Sequence, residues 1–315
     1  MTGAAAAIAW EFRRRHRWGL IAIVAYLLVI GTIKLVMLQS GRQITVDDVL
    51  SFVLVFLVPV TSAFTYFLAV FTYGLSGDIA ARQSMYPARM FTLPVSTAAL
   101  AAWPMLYGAI VTAALWAATR VFGVWPVDVA VPVIWPALLL MTLLAWAQAL
   151  TWMPYGLPGV RVIVTLLCLA VIEAVVVLAL HFKAREPVMI AFLAPQVPLA
   201  YLVARVAVAR ARRGEVPDWL TRFARRTPIV TSASSTRASF LSAARAQAWF
   251  EWRRHGLTLP AWVAILLPFE LALLWAAEDS RALVFSILIG ALLTPPVMAA
   301  AAAAAGRKSN PDARD

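Results

Sequence analysis

VRVIVTLLCLAVIEAVVVLALHF, residues 160–182, carries only two formally charged side chains, Arg161 at its start and Glu173 near its middle. A helix needs roughly 20 mostly apolar residues to cross the hydrocarbon core of a bilayer. The run meets that length and lacks the period-2 alternation of a barrel strand. A segment in lipid must satisfy its backbone hydrogen bonds internally, so the run reads as a transmembrane helix. Comparable runs lie at about 18–38, 49–73, 98–122, 128–151, 188–209, 257–277 and 281–304. The expected fold is therefore all-α, a polytopic helical membrane protein of about eight spans. Pro195 and Pro198 interrupt the sixth run and are expected to kink or break it.

Composition agrees. The 315 residues are 63% hydrophobic and 13% charged, against about 25% charged in soluble domains. The net charge of +12 comes from arginines between apolar runs, which point to membrane topology and anionic lipid rather than nucleic acid. One cysteine, Cys168, excludes an intrachain disulfide and a Cys-cluster metal site. The first run has full crossing length and follows Arg13, Arg14, Arg15 and Arg17, so it reads as a retained span rather than a cleaved leader.

The polar segments give the organisation. Residues 1–17 are Ala-rich then Arg-rich and are expected to lie along the membrane as an amphipathic helix. Gly74–Thr97, GLSGDIAARQSMYPARMFTLPVST, is too polar to cross and too short to be a domain. Tyr86, Met90, Phe91 and Leu93 give it an apolar edge beside Arg82 and Arg89. It reads either as an interfacial connector or as a docking element. The longest interruption, Arg205–His255, holds eleven arginines against Glu215, Asp218 and Glu251. Its end echoes the start of the chain: Glu251-Trp-Arg-Arg254 with Gly256-Leu257 matches Glu11-Phe-Arg-Arg14 with Gly19-Leu20. With the N-terminus inside, the inner segments, counting Arg161 and the central stretch from Arg205 among them, hold 21 of the 27 basic residues, and Lys34, Arg42, Arg120, Lys183, Arg185 and Arg281 are the six in spans or outer loops. The positive-inside rule thus puts both ends in the cytoplasm.

The order of parts resembles the membrane subunits of ATP-binding-cassette transporters of the type-2 exporter class. The likeness rests on an N-terminal interfacial helix, two spans, and an inner loop, Tyr86-Pro-Ala-Arg-Met-Phe-Thr-Leu-Pro-Val-Ser-Thr97, running into the third span. The resemblance implies that the loop after the second span sits on a separate ATPase subunit, with Arg82, Tyr86, Arg89, Met90 and Phe91 as the contact. ATP and magnesium are then expected on the partner chain, with no cofactor and no enzymatic activity here. The echo at 251–257 implies a six-span half (18–209), a basic linker (210–256) ending in a second interfacial helix, and two spans of a second half (257–304). Residues 305–315 are then either a tail cut short before four further spans or a short native end. A single half is expected to dimerise. The low-Lys, Ala/Arg-rich composition fits the inner membrane of a GC-rich bacterium.

Other chemistries lack their residues. The chain has no Gly-Lys pair for a phosphate-cradling loop. His16, His181 and His255 are isolated, so no zinc peptidase motif is present. The only Asp-Asp pair, Asp47-Asp48, is expected outside. Gly74-Leu-Ser-Gly77 looks like an intramembrane-protease motif, but Ser76 and His181 are expected at opposite membrane faces, ~30 Å apart. Ionisable and amide groups inside spans are functional candidates because burying them is costly. These are Glu173, Glu270 and Gln148, each with a structural role, pairing with a neighbouring helix, as the alternative. An ion-gradient-driven carrier is the second functional reading, with Pro195/Pro198 and Pro295/Pro296 as its helix breaks; a non-transporting scaffold is the third.

Overall fold

The computed structural model describes residues 2–39, 63–74, 82–123, 132–157 and 159–216, together with Ser242. The repeat at 251–257, the seventh and eighth runs, Glu270, Ser76 and the tail lie outside the described residues. Among the described residues all regular structure is helical and no strand occurs.

Seven α-helices follow in order: α1 (Thr2–Gln39), α2 (63–71), α3 (Thr97–Gly123), α4 (Ile134–Trp152), α5 (Val160–His181), α6 (Glu186–Leu193) and α7 (Gln196–Arg212). A short 3-10 helix, Ala88–Thr92, precedes α3. Four helical stretches among these residues are long and apolar enough to cross a bilayer: Thr97–Val121, Ile134–Trp152, Val160–His181 and Glu186–Arg212. They match the third to sixth apolar runs. Their outward faces carry large apolar side chains, among them Ile110, Ile163, Leu167, Val171, Leu178 and Leu202. A surface of this kind is stable against lipid rather than water. The described part is a helical membrane protein.

Two boundaries bear on the expected layout. α1 is one uninterrupted helix of 38 residues, about 57 Å at 1.5 Å per residue. Helical hydrogen bonding runs through the expected junction near residue 17, where a flat interfacial segment was to meet a span. The sixth run is split, as its prolines require: α6 ends at Leu193 and α7 begins at Gln196. Pro195 and Pro198 offer no amide hydrogen to the carbonyls of Ala191 and Ala194. α7 then runs to Arg212, so the basic stretch begins inside a helix.

α4 is the strut of the bundle, packing against α7, α3, α5 and α6. Its contact with α7 includes a seam of small residues: Ala145 and Ala149 share a buried cluster with Ala200, Ala204 and Ala207. Small residues let helix backbones approach closely in a setting where apolar burial alone gives no drive to associate. The crossing with α3 is equally close. A Cβ on Gly108 would stand 2.7 Å from Leu144 Cδ2, so only glycine fits there without a shift. The polar groups of α4 are used as ties. Thr142 donates to the Leu193 carbonyl at 3.4 Å and Trp146 Nε1 to Gln196 Oε1 at 3.1 Å, on either side of the α6–α7 break.

Candidate functional site

α3 is antiparallel to α4 and α7 is parallel to it, which gathers the loop 82–96, residues 153–157, the start of α3, the start of α5 and the end of α7 at one end of the bundle. The reason lies in unpaired helix ends. The last carbonyls of a helix have no partner within it, and α4 ends in an apolar surrounding. The loop satisfies them: Ser84 Oγ donates to the Trp152 carbonyl at 2.5 Å and Met85 N to the Thr151 carbonyl at 3.4 Å. Ser84 Oγ in turn accepts from Tyr86 N at 3.0 Å, and Tyr155 N donates to the Arg82 carbonyl at 3.0 Å.

Aromatic rings fill the space beneath. The Tyr86 ring stacks on Phe91 with centroids 5.3 Å apart and meets Trp152 and Tyr73 edge-on at 5.2 and 5.5 Å. Phe12 of α1 joins the group at 5.6 Å from Tyr73. Trp152 is fully buried. It lies under the loop, clustered with Tyr86 and Met90.

Each adjoining helix sends a side chain into this junction. Arg161, at the start of α5 and 1% exposed, donates to the Gln83 carbonyl and lies 5.9 Å over the Tyr155 ring. Arg89 pairs with Glu11 of α1. Arg212 of α7 donates to the Val95 carbonyl at 3.0 Å, and Tyr201 to the Ala98 carbonyl at 3.5 Å. Tyr86 Oη donates to the Leu100 carbonyl of α3 at 2.9 Å. Burial, reinforced by the Glu11 charge and only partly offset by a hydrogen bond with Tyr73, pushes the Tyr86 phenol well above its usual range; it is a neutral donor at any physiological pH. At the rim, the hydrogen bond from Arg213 holds the Glu215 carboxyl below its usual range.

Of the five expected contact residues, Arg82 and Arg89 are exposed, Phe91 is half-buried, and Tyr86 and Met90 are buried at 3% each. The apolar edge read from the sequence thus faces the bundle, and the two arginines of the set stay exposed. Gln148 lies one layer deeper, fully buried, its Nε2 donating to the carbonyls of Phe71 and Pro104, both at 3.3 Å. It joins α2, α3 and α4 as a structural tie. Glu173 stands apart on α5, half-buried, and the junction does not include it. His181 is exposed at the opposite end of the bundle. Among the described residues no three His, Cys, Asp or Glu side chains form a group able to hold a metal. Arg161 and Ser84 were missed as junction residues: both act on backbone carbonyls far away in sequence, and no local pattern announces that.

Comparison with protein-family models, with curated proteins and with solved structures finds no match to this chain.

Proposed function

We propose that the protein is the permease subunit of an ATP-driven exporter in a bacterial inner membrane, coupled to a separate ATPase through the 82–96 loop. The observation that supports this reading is the wiring of that loop. An exposed cationic ridge, Arg82 and Arg89, is fastened from beneath to α1, α3, α4, α5 and α7 by the bonds described above. A push on the ridge is delivered to every helix that it touches, which is what a coupling element must do. A passive connector has no need of a buried arginine or of four long-range bonds to helix ends. The ridge lies with Arg210, Arg212 and Arg213, and this clustering supports a cytoplasmic placement of the junction. The ATPase is expected to present acidic residues to the ridge.

The test uses affinity-tagged full-length protein purified in mild detergent from its native host. Vanadate-sensitive ATP hydrolysis is expected to co-purify, and the double charge reversal Arg82→Glu/Arg89→Glu is expected to remove it while leaving the protein folded. Retained hydrolysis in that variant overturns the reading. Export that persists on ATP depletion and collapses with an uncoupler instead selects the gradient-driven carrier.

A further inference from the structure

We propose that Tyr86 is the latch of a proline hinge in α3, so that loop position and helix bend form a single two-state element. Pro104 stands inside α3, and a proline neither donates to the carbonyl four residues back nor leaves room for it. The carbonyl so orphaned belongs to Leu100, a residue with no solvent exposure. An unmet acceptor at such a site carries the full cost of its desolvation. The loop supplies the missing donor: Tyr86 Oη, 2.9 Å away, takes the place of the absent amide.

The other side of the hinge is held from a different helix. The carbonyl of Pro104 itself accepts from Gln148 Nε2 of α4 at 3.3 Å. A few residues on, Gly108 packs against Leu144, so the second half of α3 is fixed on α4 while the first half is fixed to the loop. The Tyr86 ring is enclosed by Phe91, Trp152 and Tyr73, so its hydroxyl leaves Leu100 only when the loop moves as a body. When it leaves, α3 must change its bend at Pro104 for the carbonyl to find another donor. The proposal rests on the coupling reading only for the source of the push, and its test needs no ATPase, so the two fail separately.

Tyr86→Phe keeps the ring and deletes the donor, while Pro104→Ala returns an amide to the Leu100 carbonyl. Full-length protein in lipid nanodiscs is taken through the double-mutant cycle, with the unfolding equilibrium as readout. Tyr86→Phe is expected to raise the unfolded-to-folded ratio roughly tenfold or more in the proline background, and less than about twofold with Ala at 104. Equal penalties in both backgrounds overturn the latch. Should Pro104→Ala fail to fold, spin labels at Ser96→Cys and Ala117→Cys, with Cys168→Ser, report the bend over a straight-helix span of ~32 Å. Tyr86→Phe alone is expected to shift or broaden that distance distribution, and an unchanged distribution overturns the proposal.

Discussion

The two ends of the bundle are built on different principles. At the loop end, helix termini are completed by groups distant in sequence: Ser84 on Trp152, Arg161 on Gln83, Arg212 on Val95. At the other end, among the described residues, closure between α5 and α6 is local. α5 finishes with Lys183 N donating to Leu180 O and Ala184 N to Ala179 O, and Lys183 takes a left-handed conformation at φ 52°. On the α3–α4 side Trp116 Nε1 donates to the Val133 carbonyl at 3.0 Å. A locally closed end moves as each helix moves, whereas a cross-wired end makes five elements move together. On the proposed coupling role, the loop end is where mechanical input would be shared.

Substitutions sharpen this contrast, and the largest effect belongs to the wired end. Trp152→Ala empties the floor under the loop and is expected to cost about 3–5 kcal/mol, the range for large buried aromatics, seen as a lower midpoint in nanodisc unfolding. Gly108→Val, between the two ends, forces α3 from Leu144 and is expected to cost about 1–3 kcal/mol by overpacking, readable by the same assay. The alkaline limb isolates Tyr86. Its folded-state pKa lies above the ordinary value of 10.0, so its stabilising contribution is complete below that pH and is lost as pH rises through the folded-state value. Wild type is expected to lose stability above pH ~10 more steeply than Tyr86→Phe; parallel pH profiles would sink this account of the junction. At the local end the sign reverses: Lys183→Gly relieves a left-handed residue and is expected to gain about 1 kcal/mol. The smallest effect is Arg89→Ala, which removes an exposed pair with Glu11 and is expected to cost under ~1 kcal/mol, less at high salt.

The sequence made the spans legible because hydrocarbon thickness imposes a length that apolar runs must meet: α3 and α5 lie within a residue of their expected limits. The split at Pro195 was equally readable, since a missing amide acts locally. Inward and outward faces were not, because a helix apolar all round gives no periodic contrast to read. Tyr86 and Met90 read from the sequence as contact residues for a partner, yet they are buried in one cluster with Trp152 and α3. Arg161 passed as a loop cation beside a span. Nothing in its neighbours marks it as buried, for its acceptor is the carbonyl of Gln83, 78 positions away.

The alanine seam between α4 and α7 has a further consequence. Alanine has no χ rotamers, so a surface of Ala200, Ala204 and Ala207 has no knobs to withdraw and no side-chain entropy to surrender when neighbours shift. A shift of α7 along α4 would meet less repacking at this surface than interlocked leucines would demand, with the Trp146–Gln196 bond as the tie to break. Arg212, at the far end of the same helix, ties α7 to the loop through the Val95 carbonyl.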